Sequence, residues 1–365
     1  MTGKEMIMMK KLAILVGLIA AAWSLATVPA LAAPIDAGHA CAPEGKVRYV
    51  CGADNVEDLV QVPGTRWILA SGMTGPADPV GHLYLIDSVR KTATAVTPDV
   101  RGPALRPYAA CPGPIDLGKI APHGVAIRPG AKGRSTLYVV NHGGRQSIEM
   151  FEVNAAGAAR PTLRWIGCAV LPDGVSGNAV APLPGGGFVA TKFQQADDPQ
   201  AFAKMASGLS GGSLYAWTPK HGYSLIPASS MIAANGVELS RDGHWIVAND
   251  WPARRVYRFR RGSSAKPASV AMPGFLPDNV RMGPDGRILI TGQDGDIRTL
   301  LACDKPHCAH DWTVVSLDPV TLKLSPVAHI KGTEAFSDAT VGLRVGRDLW
   351  VGTYRGDRVA ILRAP

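Results

Sequence analysis

Six side chains able to hold a hard cation or move a proton open six similar segments of this chain: Glu57, His123, Asn178, Asn235, Asp278 and Asp338. Each is followed by a short, mostly apolar run and then a turn, as in His123-Gly124-Val125…Pro129-Gly130, Asn178-Ala179-Val180…Pro184-Gly185 and Asp278-Asn279-Val280…Pro284-Asp285-Gly286. After Glu57, His123, Asn178 and Asp278 a proline lies six residues on, at Pro63, Pro129, Pro184 and Pro284. Such recurrence is the mark of a repeat architecture. If the repeats stand around one axis, the six side chains meet at one place. Carboxylate and amide oxygens without thiolates favour calcium over zinc or copper. A histidine adds a group that can take up a proton near neutral pH. Asp278, beside such an ion, is a candidate base or nucleophile.

The elements that would position these residues are strands. The six openers are 66, 55, 57, 43 and 60 residues apart, too long for a helical hairpin and right for a four-stranded blade with variable loops. Each opener is followed by a second apolar run: Trp67-Ile68-Leu69-Ala70, Leu137-Tyr138-Val139-Val140, Gly187-Phe188-Val189-Ala190, Trp245-Ile246-Val247-Ala248, Ile288-Leu289-Ile290-Thr291 and Leu349-Trp350-Val351-Gly352. These are rich in β-branched and aromatic residues and bounded by Gly, Pro or Asp, as strands are. The pattern predicts an all-β, six-bladed β-propeller over residues 33–365, against a pair of β-sandwiches with coincident turns. One segment departs from it. In residues 197–213, Asp198 suits an N-cap, Pro199 the first helical position, and Ala201 to Ala206 a helix. That short helical insertion is either a lid over one face or a surface excursion.

Composition bounds the setting. Lys10-Lys11, an apolar stretch over 12–28 and Ala30-Leu31-Ala32 read as a secretory signal peptide, residues 1–32, with a mature chain starting near Ala33. No comparable apolar run follows, so no transmembrane segment is expected in the mature chain. The net charge of +9 becomes +7 once the three Lys and one Glu of that segment are removed. The basic residues are scattered, with Arg254-Arg255 and Arg260-Arg261 the tight pairs, which argues against nucleic acid as a partner. Six cysteines in an exported protein predict disulfides. Sequence alone leaves 15 connectivities open; Cys303–Cys308 is expected as a local staple, with Cys41–Cys51 and Cys111–Cys168 as candidates for the other pairs. The Cys303-Asp304-Lys305-Pro306-His307-Cys308-Ala309-His310 loop is an alternative metal site, though it lacks paired Cys-x-x-Cys spacing. The expected compartment is the periplasm or the exterior.

The segments Val56-Glu57-Asp58-Leu59, Pro122-His123-Gly124-Val125, Val139-Val140-Asn141-His142, Ala234-Asn235-Gly236-Val237 and Pro277-Asp278-Asn279-Val280 resemble the paraoxonases, and more broadly the senescence-marker/gluconolactonase superfamily of six-bladed propellers. The likeness runs in order from about Gly52 to the C-terminus and includes the insertion over 198–215. It implies a catalytic calcium held by Glu57, Asn178, Asn235, Asp278 and Asn279. It also implies a water-activating histidine pair, His123 and His142. Simple strand alternation would send Asn279 away from Asp278 unless the backbone turns there. The family's second, structural calcium would use Asp58, but the position after Asn178 is Ala179, not a carboxylate. The paraoxonase disulfide that ties the first strand to the last has no counterpart, because no cysteine follows Cys308. The ring is therefore expected to close by pairing residues 46–50 with the final blade.

The activity this predicts is calcium-dependent hydrolysis of lactones or aryl esters by an exported enzyme. The substrate would be a small molecule, and the chain a monomer or small homo-oligomer. His142 orienting His123, or Asp278, would supply the base. The alternative from another class is a non-enzymatic propeller that keeps its ion for stability and binds a ligand or partner protein. A lyase or synthase of the strictosidine-synthase-like type fits less well, since those relatives often lack the full ligand set.

Overall fold

In the computed structural model, described for residues 41–364 except 76–78, 158–159, 210 and 304–307, the strands form six four-stranded antiparallel sheets. These are the six blades. Five are made of consecutive strands, and the innermost are Val56–Gln61, Pro122–Pro129, Val175–Pro182, Ala234–Leu239 and Phe275–Met282. The sixth begins with Ala339–Val345 and takes its outer strand, Arg48–Cys51, from the other end of the chain, with Arg48 opposite Ile361 and Cys51 opposite Arg358. The ring thus closes by strand pairing as expected, with the paired strand starting two residues later and ending one residue later than 46–50. Each inner strand packs against the inner strands on either side, around to the first.

The six expected second strands are all present, from Trp67–Gly72 to Asp348–Thr353. Their apolar faces do not fill the axis. They form clusters between adjacent blades: Leu69, Leu85, Leu137 and Trp165 between blades 1 and 2, for example, or Leu289, Val314, Leu349 and Val351 between blades 5 and 6. Burial of apolar surface is therefore distributed around the ring. The axis is left to polar side chains on the inner strands.

Every inner strand breaks register with its neighbour where its opening residues fall. The shifts lie between Val56 and Asp58, Pro122 and Val125, Ser176 and Val180, Ala234 and Val237, Pro277 and Val280, and Ala339 and Val341. A bulge re-aims side chains. At the fifth blade it lets the consecutive Asp278 and Asn279 both serve the axis. Two glycines permit the close approach of inner strands this requires. A Cβ on Gly124 would lie 2.3 Å from the Asn178 carbonyl oxygen, and one on Gly236 would lie 2.5 Å from that of Asp278.

Two helices interrupt the blades. Helix α1, Ala201–Ala206, joins the second and third strands of blade 3, and α2, Ile297–Leu301, does the same in blade 5. The N-cap of α1 is Gln200, not Asp198. Pro199 therefore precedes the helix, and Asp198 instead accepts the Gln200 N–H at 3.0 Å and the Lys204 ammonium at 2.7 Å. Helix α2 was not anticipated. Its signal is local: Asp296 caps it by accepting the Thr299 N–H at 2.9 Å. The two helices share one apolar cluster with Trp251 and Leu276.

All three expected cysteine pairs form: Cys41–Cys51, Cys111–Cys168 and Cys303–Cys308. Among the described residues no helix is long and apolar enough to cross a membrane. The signal-peptide segment lies outside the described residues.

Candidate functional site

Glu57, His123, Asn178, Asn235 and Asp278 come together at the end of the channel where the inner strands begin, and Asn279 joins them. Asn279 Nδ2 donates to Glu57 Oε1 at 2.6 Å and to the Glu57 carbonyl at 3.2 Å. His123 Nε2 lies 3.6 Å from Glu57 Oε1 and 3.0 Å from Asn178 Nδ2. Asn235 bonds the Asp278 carboxylate. All five oxygen-bearing residues are buried, none more than 6% exposed. The sixth opener, Asp338, is held otherwise. Its carboxylate takes a bond from His310 Nδ1 at 2.7 Å and one from the Ser337 hydroxyl at 3.2 Å.

The three asparagines are oriented alike. Each gives its N–H to a neighbour and leaves its carbonyl oxygen with no partner: Oδ1 of Asn178, Asn235 and Asn279 are all buried and unbonded, and so is Glu57 Oε2. A buried acceptor left unpaired costs about 1–3 kcal/mol. Four from one cluster imply something that satisfies them together, and oxygens of this kind are what calcium takes, six to eight at a time. Among the described residues no group of three or more His, Cys, Asp and Glu could hold a metal, so a cation here must draw on amides. The set therefore fits a hard divalent ion. Part of the alternative metal loop, residues 304–307, lies outside the described residues.

The electrostatics agree. Burial, reinforced by the charges of Asp58 and Asp278, pushes Glu57 well above the usual carboxylate range. Burial raises Asp278 to about 7, against the lowering effect of bonds from Gln293 and Asn235. Both carboxylates are thus biased toward the protonated form, a bias that a bound cation would oppose.

The histidine pair is a hydrogen-bonded row. His123 Nδ1 is 3.1 Å from His142 Nε2, and His142 Nδ1 is 2.8 Å from Gln146 Oε1. An amide nitrogen can only donate, so Asn178 makes His123 Nε2 an acceptor. His123 Nδ1–H then donates to His142 Nε2, and His142 Nδ1–H donates to Gln146. Burial lowers His123 well below its ordinary value, with His142 adding to the effect, and burial also lowers His142. Both imidazoles are thus neutral at pH 7.

Several supporting residues carry no repeat signal. Gln293 Nε2 donates to Asp278 Oδ2 and to the Ala339 carbonyl, both at 2.8 Å, and its Oε1 accepts from Trp251 Nε1 at 3.0 Å. This links the apolar cluster of α1 and α2 to Asp278. Asn249 Nδ2 donates to the Asp278 carbonyl at 2.6 Å, and Thr340 Oγ1 to the Glu57 carbonyl at 2.7 Å. Asp58 is held by the protein itself. Its Oδ1 accepts the Leu59 N–H at 2.8 Å, and its Oδ2 accepts the Val125 N–H at 2.7 Å and the guanidinium of Arg281. The string Gly208-Leu209-Ser210-Gly211-Gly212 has the Gly-x-Ser-x-Gly pattern. It follows α1, without the strand-to-helix turn that a nucleophile elbow requires, and Ser210 lies outside the described residues.

No protein-family model and no curated protein matches the chain. Solved structures do. A gluconolactonase from Xanthomonas campestris superposes with a TM-score of 0.53 at 16% identity, covering 87% of this chain and 89% of its own. A luciferin-regenerating enzyme gives 0.55 at 13%, covering 87% and 94%. The chain shares the fold of these structures. At these identities the likeness is one of architecture alone. What the fold contributes is six inner strands around one mouth; the chemistry rests on which side chains this chain places there.

Proposed function

We propose that the chain is an exported, calcium-dependent hydrolase of lactones or aryl esters. The observation that carries this reading is the convergence of four unpartnered buried oxygens beside Asp278 and the His123–His142–Gln146 row. Glu57, Asn178, Asn235, Asp278 and Asn279 would hold the ion. When bound, calcium would polarise the ester or lactone carbonyl and stabilise the oxyanion that develops on it. His123 Nε2 takes the proton of the attacking water once the Asn178 N–H, which occupies its lone pair at 3.0 Å, gives way to it. Its Nδ1 proton is shared with His142, whose orientation Gln146 fixes. Burial that keeps both rings neutral keeps that nitrogen unprotonated at pH 7. Gln293 and Asn235 hold the Asp278 carboxylate in place, and Asp278 is the second candidate for the base. The gluconolactonase among the structural neighbours supports a lactone as substrate. The cysteine pairs and the N-terminal segment support export.

The test is hydrolysis of γ- and δ-lactones and phenyl acetate, with calcium and after chelation. Turnover that is lost on chelation and restored by calcium is expected. A folded, calcium-loaded protein with no turnover on the whole panel would instead support the ligand-binding propeller.

A further inference from the structure

Beneath the candidate site the channel has a second position lined by oxygens, and a side chain fills it. Arg281 follows Asp278 by three residues on the same inner strand and is 4% exposed. Its Nε donates to the Leu59 carbonyl at 3.0 Å, its Nη1 to the Val280 carbonyl at 2.7 Å, and its Nη2 to the Val125 carbonyl at 2.6 Å and to the Asp58 carboxylate. The acceptors come from blades 1, 2 and 5. All are hard oxygens and one is charged, a set that suits calcium as well as it suits a guanidinium. Glu238 faces the same guanidinium from blade 4, its own carboxylate accepting the N–H groups of Leu239 at 3.0 Å and Met282 at 3.2 Å. The far end of the channel opens as a cavity of about 340 Å³ whose lining includes Val60, Ala126, Pro182, Glu238 and Arg281, so an ion could reach the position from that side.

The family resemblance implied a structural calcium on Asp58. The residues present do not fit it, because a fixed positive charge already sits on the Asp58 carboxylate and fills the space among these oxygens. We infer that Arg281 is a tethered cation that closes this cage, so that the propeller takes a single metal ion, in the Glu57–Asn279 set. The count of one rests on the calcium reading above; the closing of the Asp58 cage by Arg281 does not. A tethered charge cannot be chelated away, so the centre of the ring stays cross-linked whether or not the site above it holds an ion.

The experiment is calcium stoichiometry by equilibrium dialysis and metal analysis on the full chain, with circular dichroism as a folding check. Arg281→Ala is expected to bind one calcium more than the wild type. Arg281→Lys, which keeps the charge, is expected to bind no more than wild type, and Asp58→Asn in the Arg281→Ala background to lose the extra ion. An Arg281→Ala chain that folds only when calcium is added also supports the inference. One that folds without gaining an ion overturns it, and so does one that stays unfolded in millimolar calcium. Failure of the calcium reading would look different: the wild type would bind no ion while Arg281→Ala still gained one.

Discussion

Three asparagines at the channel mouth spend their N–H groups on His123, Asp278 and Glu57 and turn unpaired oxygens inward. This shared orientation supports the proposed cation site, and it assigns tautomers to the histidine row. Replacing His123 with Gln should reduce turnover by roughly 100-fold or more, the usual worth of a positioned base, with calcium affinity little changed. Wild-type turnover in that variant would rule out the row as the proton acceptor and leave Asp278. Gln293→Leu should lower kcat and weaken calcium binding together, because it frees the Asp278 carboxylate that the amide holds at 2.8 Å. If steady-state kinetics and calcium titration both match the wild type, Gln293 is packing and nothing more.

At the scale of the element, the bulge shared by the six inner strands decides which residues reach the axis. The openers were legible in the sequence because type and spacing recur together, and the second strands because their residues favour a pleated, half-buried surface. Asn279 was legible by resemblance alone. Alternation points it away from Asp278, and only the register shift between Pro277 and Val280 brings it in. Arg281 stands in the sequence as a lone charge between Val280 and Met282, but nothing local says that carbonyls of two other blades will receive it. Gln146 and Gln293 sit at strand and loop positions with no repeat, so their roles exist only once blades are assembled. The five-residue α2 is too short for periodicity to show. Gly236→Ala should cost roughly 1–3 kcal/mol by overpacking, since its new Cβ meets backbone, and it should weaken calcium binding by displacing Asp278. Unchanged thermal stability would contradict the close approach. Removing the Cys111–Cys168 staple, which closes a loop of 57 residues, with a double Ser variant should cost about 4 kcal/mol on the chain-entropy estimate, measured by denaturant unfolding.

For the whole molecule, apolar clusters between blades hold the ring and leave the axis to polar chemistry. Chelation should therefore empty the site without melting the propeller. Proton linkage gives that expectation a sign. Glu57 and Asp278 have folded-state pKa values above their unfolded ones, Asp278 at about 7, so without calcium the folded chain binds more protons than the unfolded chain, and these two groups lose stability as pH rises toward 7. On the proposed reading, calcium takes the place of those protons. The difference in Tm between calcium-loaded and chelated protein should accordingly be small near pH 4 and widen through pH 7; a difference independent of pH would contradict carboxylate ligation. The most direct test of the account is to follow turnover of a γ-lactone by chelated protein while calcium is titrated back and bound ion is measured in the same sample. The account predicts that activity rises from none in proportion to occupancy of one ion, and that Glu57→Gln shifts both curves together. Turnover that survives chelation, or that fails to follow the bound ion, would contradict it.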